Sequence, residues 1–172
     1  WNYNSGKQWW YETRISLFDV SDGNIFVGFA DNGFADPATV PTDCIGFSHL
    51  EDTTTIQFIS RKNGAGTSFD MPVTAGGSNF TFEDSTVPTQ TATQFEIPSN
   101  SVRLGFHFQP AGTELGQTSA QYKLYLDGKK VGTQAATTVP DDIALELKIF
   151  LENKGTNANG LNTDWVQTIQ QR

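Results

Sequence analysis

Strict alternation of apolar and polar side chains is the clearest pattern along this chain. In VRLGFHFQ (102–109), one set of alternate positions is entirely apolar, namely Val102, Leu104, Phe106 and Phe108. Arginine, glycine, histidine and glutamine occupy the other set. Because successive side chains of a strand point to opposite faces, the pattern predicts a strand with one face in the core.

Similar segments recur from one end of the chain to the other, while helical periodicity is almost absent. In ALELKIFLE (144–152), four apolar side chains share one face, opposite a face of two glutamates, a lysine and Phe150. IFVGFA (25–30), in contrast, is apolar on both faces, as in a central strand covered on both sides. We predict strands at Trp9–Leu17, Asn24–Ala30, Asp43–His49, Thr55–Arg61, Val102–Gln109, Gln121–Leu126, Lys130–Thr133, Ile143–Leu151 and Asp164–Ile169.

The segment YKLYLDGKKVGT (122–133) predicts a β-hairpin. Asp127-Gly128 is a dipeptide favoured in two-residue hairpin turns, because both central residues need positive φ. With this pair as the turn, Tyr125 is expected opposite Lys130, and Leu124 opposite Val131.

The short connections favour antiparallel pairing, and the number of strands predicts two packed sheets. We therefore expect an all-β, two-sheet jelly-roll sandwich in which residues 1–172 form one domain. Residues 63–101 are rich in Gly, Ser, Thr and Pro and are expected to form a long excursion at the sandwich edge. Within it we predict at most short strands, around Phe69–Val73, Phe80–Phe82 and Gln94–Ile97.

Charge and composition narrow the range of partners. Eleven basic and nineteen acidic residues leave a net charge of −8, which disfavours nucleic acid and anionic lipid surfaces. No uninterrupted apolar run approaches the roughly 20 residues of a membrane helix, so no membrane partner is expected. Cys44 is the single cysteine, which excludes an internal disulfide and a cysteine-based metal site.

No catalytic pattern is present in the sequence. Glu12 and Glu146 each have a cation two residues on, at Arg14 and Lys148, which predicts same-face ion pairs rather than the paired carboxyl groups of a glycosidase. There is no G-x-S-x-G nucleophile elbow. Cys44 and the histidine five residues on would point to opposite faces of one strand. We therefore predict a protein that is not an enzyme.

Two oxygen-rich turns leave calcium as an open alternative to the prediction of no cofactor. Hard oxygen ligands suit calcium, but Asp-Gly and Asn-Gly dipeptides also favour tight turns, which is the preferred interpretation. The two groups are Asp19, Asp22 and Asn24, and Asp31, Asn32 and Asp36.

Aromatic side chains near the N-terminus are the candidate contact residues. Trp9 and Tyr11 should share one face of their strand and Trp10 the other, so at least one tryptophan is expected in the core. Any of these aromatic side chains that stay exposed would contact a partner protein or a sugar. The residue types alone do not decide between the two partners. The candidate interface or ligand contacts are Trp1, Tyr3, Trp9, Trp10 and Tyr125.

Four motifs in order, WWYETRISL, IFVGFA, YKLYLDGKKVGT and DWVQTI, resemble the concanavalin-like (laminin G-like) jelly-roll superfamily. Some members of that superfamily bind glycans on one sheet face. ETRISL, IFVGFAD and CIGF are also similar to small jelly-roll proteins among the structural genes of tailed bacteriophages. Fold analogy does not by itself carry function.

The phage resemblance implies a non-enzymatic structural or decoration protein of the capsid or tail. It would be made in the host cytoplasm, sit on the virion surface, contact other virion proteins and form a homo-oligomer. The alternative is a carbohydrate-binding, lectin-like module.

Overall fold

The computed structural model describes residues 6–17, 23–36, 39–50, 53, 55–76, 79–82, 101–140, 142–153 and 161–170. These residues contain strands and turns and no helix, and therefore no helix able to span a membrane. In chain order the strands are β1 (Trp9–Leu17), β2 (Gly23–Ala30), β3 (Cys44–His49), β4 (Thr55–Lys62), β5 (Ala65–Gly76), β6 (Asn79–Phe82), β7 (Val102–Gln109), β8 (Gln121–Leu126), β9 (Lys129–Ala135), β10 (Glu146–Asn153) and β11 (Leu161–Gln170).

Two antiparallel sheets pack face to face. One has five strands in the order β11-β1-β7-β8-β9, and the other has six in the order β10-β2-β3-β4-β5-β6. This is the predicted all-β, antiparallel two-sheet jelly-roll sandwich, so the fold-class prediction is confirmed.

The core between the sheets is built largely from aromatic rings. Phe106 of β7 lies at its centre, with ring centroids 4.9 Å from Trp9, 5.2 Å from Tyr11 and 5.2 Å from Phe58 on the opposite sheet. Burying one such side chain contributes roughly 1.5–3 kcal/mol, and edge-to-face or offset ring pairs add to it. The alternation in VRLGFHFQ therefore correctly predicts which of its side chains enter the core.

The central strand β2 is covered on both faces, as predicted. Its inward side chains join the main core, while Phe26 on the outer side is 1% exposed. Phe34, from the β2–β3 connection, packs edge-on against Phe26 at 5.2 Å and against Phe150 of β10 at 5.2 Å. This connection thus closes a second small apolar cluster over the six-stranded sheet.

The predicted hairpin forms around Asp127-Gly128, with φ values of 48° and 79°. Tyr125 lies opposite Lys130 as predicted, but the prediction for Leu124 is wrong, because a bulge leaves Val131 unpaired and places Gly132 opposite it. A Cβ on Gly132 would stand 2.3 Å from Cζ of Phe69 on β5. The bulge therefore places Gly132, which has no side chain, against the Phe69 ring of the facing sheet.

The 63–101 excursion contains more regular structure than predicted. The strand expected around Phe69–Val73 is part of β5, a 12-residue strand paired with β4 through a tight turn at Asn63-Gly64, where both φ angles are positive. The strand expected around Phe80–Phe82 is β6. The strand expected at Gln94–Ile97 lies outside the described residues.

Candidate functional site

Three aromatic side chains meet on the outer face of the five-stranded sheet, the face directed away from the core. Trp10 of β1 lies 5.3 Å from the ring of His107 on β7 and 4.7 Å from the ring of Tyr125 on β8, measured between centroids. All three side chains are partly exposed. We call Trp10, His107 and Tyr125 the aromatic platform.

Strand register explains why these rings meet. Trp9 and Tyr11 point into the core, so Trp10 between them must point outward. Trp10 lies opposite His107 in the β1–β7 pair, and Tyr125 lies opposite Gly105 in the β7–β8 pair. Because Gly105 has no side chain, Tyr125 and Trp10 can contact each other across β7 although their strands are not neighbours.

A shallow groove of about 320 Å³ runs beside the platform and is lined by Gln8, Trp9, Trp10, His107 and Ile169. The His107 Nε2 atom lies 3.0 Å from Oε1 of Gln8, to which it donates as the Nε2–H tautomer. Ile169 of β11 is 55% exposed and supplies an apolar wall. The groove thus combines an indole face, an imidazole, an amide and an aliphatic side chain.

Ion pairs surround the platform. Glu12 Oε1 lies 2.9 Å from Nε of Arg103, and Lys123, opposite His107 on β8, pairs with Glu114 of the β7–β8 loop. Hydrogen bonding from Lys123 lowers the pKa of Glu114. Burial, and then repulsion from Lys123, lower the pKa of His107. The imidazole beside Trp10 is therefore neutral at pH 7.

The structure separates the predicted contact residues. It brings Trp10 and Tyr125 together on the outer face, whereas Trp9 is 1% exposed and points into the core. A contact role for Trp9 stays a prediction. Trp9 belongs to the core because it alternates with Trp10 on β1 and packs against Phe29 of the facing sheet. Trp1 and Tyr3 lie outside the described residues.

Sequence reasoning missed His107, Gln8 and Ile169 as members of this site. The alternation in VRLGFHFQ already placed His107 outward, but its neighbour depends on the β1–β7 register. That register, Trp10 opposite His107, pairs residues far apart in sequence. No local pattern in the chain encodes it.

The candidate reactive groups are engaged in structural roles. Glu146 pairs with Lys148 at 2.9 Å as predicted, but Glu12 pairs with Arg103 of the neighbouring strand rather than the predicted Arg14. In the β1–β7 ladder Arg14 is directed toward Ser101, to which its Nε donates at 2.6 Å. Glu12 and Glu146 thus each pair with a cation.

Cys44 and His49 do not form a dyad. Cys44 is buried in the second apolar cluster, and desolvation raises the pKa of its thiol to about 12. His49 is buried at the other end of β3, where its Nδ1 lies 3.0 Å from the carbonyl oxygen of Thr55. A thiolate would not form there at neutral pH.

The oxygen-rich turns serve local structure where they are described. Asp31 Oδ2 accepts a hydrogen bond from Thr42, and the Asp36 carbonyl accepts one from Thr39. Asn24 donates to Glu152 at 2.9 Å. Asp19 and Asp22 lie outside the described residues. Across the part of the chain that the structure describes, no three His, Cys, Asp or Glu side chains group closely enough to hold a metal ion.

Comparisons with known proteins give a likeness to solved structures. Neither the protein-family models nor the curated proteins compared contain a match to this chain. Among solved structures, sheep galectin-11 in complex with glycerol aligns with a TM-score of 0.49 at 9% identity, over 98% of this chain and 93% of that one. This likeness carries no argument about function, and the fold assignment rests on the two sheets themselves.

Proposed function

We propose that this chain is a non-catalytic carbohydrate-binding module whose ligand stacks on the aromatic platform. The observation that carries the proposal is the contact between Trp10 and Tyr125, 4.7 Å between centroids, on a partly exposed sheet face. Two aromatic rings fixed by strand register offer a rigid apolar surface that matches the C–H face of a sugar ring and loses little entropy on binding.

The surroundings of the platform suit the hydroxyl groups of the same sugar. The Gln8 amide provides two donors and an acceptor, and Lys123 provides an ammonium group at the platform edge. Because the pKa of His107 is lowered, its imidazole is neutral at pH 7. Its Nε2–H donates to Gln8, which leaves Nδ1 as an acceptor. The groove of about 320 Å³ falls at the small end of ligand sites.

The non-catalytic part of the proposal follows from the acidic side chains. Glycoside hydrolysis requires two carboxyl groups across the scissile bond. Glu12 and Glu114, the acidic side chains around the platform, are each held by a cation, at Arg103 and Lys123. We therefore expect binding without cleavage.

A glycan array that contains neutral and acid-bearing oligosaccharides tests the proposal, followed by calorimetry with the glycans retained. Trp10→Ala should weaken binding at least about tenfold, equivalent to about 1.4 kcal/mol, because the stacking surface is lost. Tyr125→Ala should act in the same direction. The matched control is Leu115→Ala, which removes an exposed aliphatic side chain of the β7–β8 loop that is not part of the platform.

Two results would contradict the proposal. One is the absence of retention across the array by a correctly folded wild-type chain. The other is retention that Trp10→Ala and Tyr125→Ala leave unchanged. The virion role and virion-surface location predicted from the sequence have no such surface observation behind them and stay predictions, which cosedimentation with assembled particles would test.

A further inference from the structure

Strand β10 exposes apolar side chains at the end of the six-stranded sheet. Leu147 and Ile149 are 46% and 43% exposed, and Ile143 just before the strand is 41% exposed. Leu147 and Ile149 point to the core side of the sheet, because they lie opposite Phe29 and Val27 of β2, which are core residues. They are therefore exposed because β10 lies at the edge of the sheet, and not because their side chains point away from the core.

Both sheets end on this side of the sandwich. Among the described strands, β10 is the last of the six-stranded sheet beyond β2, and β11 is the last of the five-stranded sheet beyond β1. Trp9 of β1 packs against Phe29 of β2, so the strands beyond them lie on the same flank. An edge of this length with exposed apolar side chains is a template for pairing with another strand.

We propose that β10 is a homodimer interface, in which the β10 strands of two copies pair antiparallel about a two-fold axis at Leu147. This register places Leu147 opposite Leu147 of the second copy and Leu145 opposite Ile149 of the second copy. On the other face, Glu146 lies opposite Lys148 of the second copy, twice over because of the symmetry. Apolar side chains thus meet apolar ones and opposite charges meet.

Other registers match less well. Centring on Lys148 sets two ammonium groups opposite each other, and centring on Ile149 sets Glu146 opposite Glu152. Like charges directly opposite are destabilising. A shift by one residue would set the apolar face of one copy against the charged face of the other.

A register centred on Phe150 also brings opposite charges together, Lys148 with Glu152. It leaves Leu147 opposite Asn153, however, and Glu152 already accepts a hydrogen bond from Asn24. Among these registers, the one centred on Leu147 both covers the exposed side chains with apolar partners and sets opposite charges against each other. It uses no platform residue and does not depend on the proposed carbohydrate binding.

Sedimentation of charge variants tests both the interface and its register. Glu146→Lys alone sets an introduced ammonium group of each copy against Lys148 of the other, and Lys148→Glu alone sets two carboxylates together. Each single variant should dimerise at least about tenfold more weakly than wild type. An equimolar mixture of the two variants should dimerise again, because every facing pair then carries opposite charges.

Each single variant also loses the Glu146–Lys148 ion pair within its own chain, and mixing the variants does not restore that pair. Recovery of dimerisation in the mixture would therefore come from the charges that face each other between the two copies. Leu147→Glu should also abolish dimerisation, whereas Leu115→Glu, at the exposed loop position, should leave it unchanged. Thermal unfolding of each variant establishes that it is folded.

Two results would overturn the proposal. One is a wild-type chain that remains monomeric up to about 1 mM, and the other is a mixture that dimerises as weakly as the single variants. Weakening by Lys148→Glu but not by Glu146→Lys would overturn the register and favour Phe150.

Discussion

Replacing Gly46 by alanine perturbs a close backbone approach inside the six-stranded sheet. Gly46 of β3 lies opposite Gly28 of β2, so the two glycines of the IFVGFA and CIGF motifs face each other. A Cβ on Gly46 would stand 2.5 Å from the carbonyl oxygen of Val27 and 2.8 Å from Cα of Gly28. Both obstacles are backbone atoms, which no side-chain rotation can move away.

The size of the effect follows from that distance. Real Cβ contacts are essentially never closer than 3.0 Å, so β2 and β3 must separate by at least the 0.5 Å between 3.0 and 2.5 Å. Ladder hydrogen bonds near 2.9 Å would lengthen to about 3.4 Å and largely lose their strength. Two or three such bonds at about 1 kcal/mol each give a loss of about 2–3 kcal/mol, which agrees with the cost of overpacking a core.

Urea unfolding followed by tryptophan fluorescence measures this loss, and thermal unfolding should show a Tm lower by about 4–12 °C. Gly112→Ala is the matched control, because its Cβ would meet nothing within 4 Å and only its positive φ of 78° opposes the change. That control should cost about 1 kcal/mol. A Gly46→Ala loss no greater than the control loss would refute the reasoning from close backbone contact.

Two further predictions follow from titratable groups whose pKa is shifted by burial. Because the pKa of His107 is lowered in the folded chain, the unfolded chain takes up the proton more readily, and the free energy of unfolding should fall as pH drops through about 6.5. In His107→Gln the free energy of unfolding should fall less than in wild type between about pH 7.5 and about pH 5.5. Urea unfolding at the two pH values measures this, and an equal fall of the urea midpoint in both proteins would contradict the prediction. Burial raises the pKa of Cys44 to about 12, so a thiol reagent at about pH 8 should label it only on unfolding, and prompt labelling of the native chain would argue against the buried position.

The sequence predicted the individual strands well because their side-chain pattern is local. In YKLYL the burial alternates as the pattern predicts. In VRLGFHFQ the four apolar side chains are buried, while Arg103 and His107 are partly exposed. Asp127-Gly128 predicted its turn from the φ requirement of two adjacent residues. The bulge at Val131 could not be predicted in this way, because it depends on the contact of Gly132 with Phe69 of the other sheet.

Strand β5 was underestimated although a local signal for it exists. Asn63-Gly64 is a hairpin dipeptide of the same kind as Asp127-Gly128, and it directly follows a predicted strand. The Gly, Ser and Thr content after it favoured an irregular segment. Pairing along β4 outweighs the weak intrinsic preference of these residues for strand.

The candidate site was predictable only in part. Alternation placed Trp10 and His107 outward on their own strands, but their contact, and that of Trp10 with Tyr125, depends on the register of three strands. Similarly, the shared face of Leu147 and Ile149 was predicted from the pattern. Their exposure was not, because it depends on where β10 falls in the sheet order.

Mapping a bound glycan by NMR tests the central claim most directly. With the glycan selected on the array, the account predicts chemical-shift changes concentrated on the Trp10 indole and on the backbone amides of His107 and Tyr125. The opposite sheet offers an internal comparison at Gln57 and Asp70, whose side chains are hydrogen-bonded at 2.7 Å on its outer face. Shifts centred on Gln57 and Asp70, with the Trp10 indole unchanged, would contradict the account.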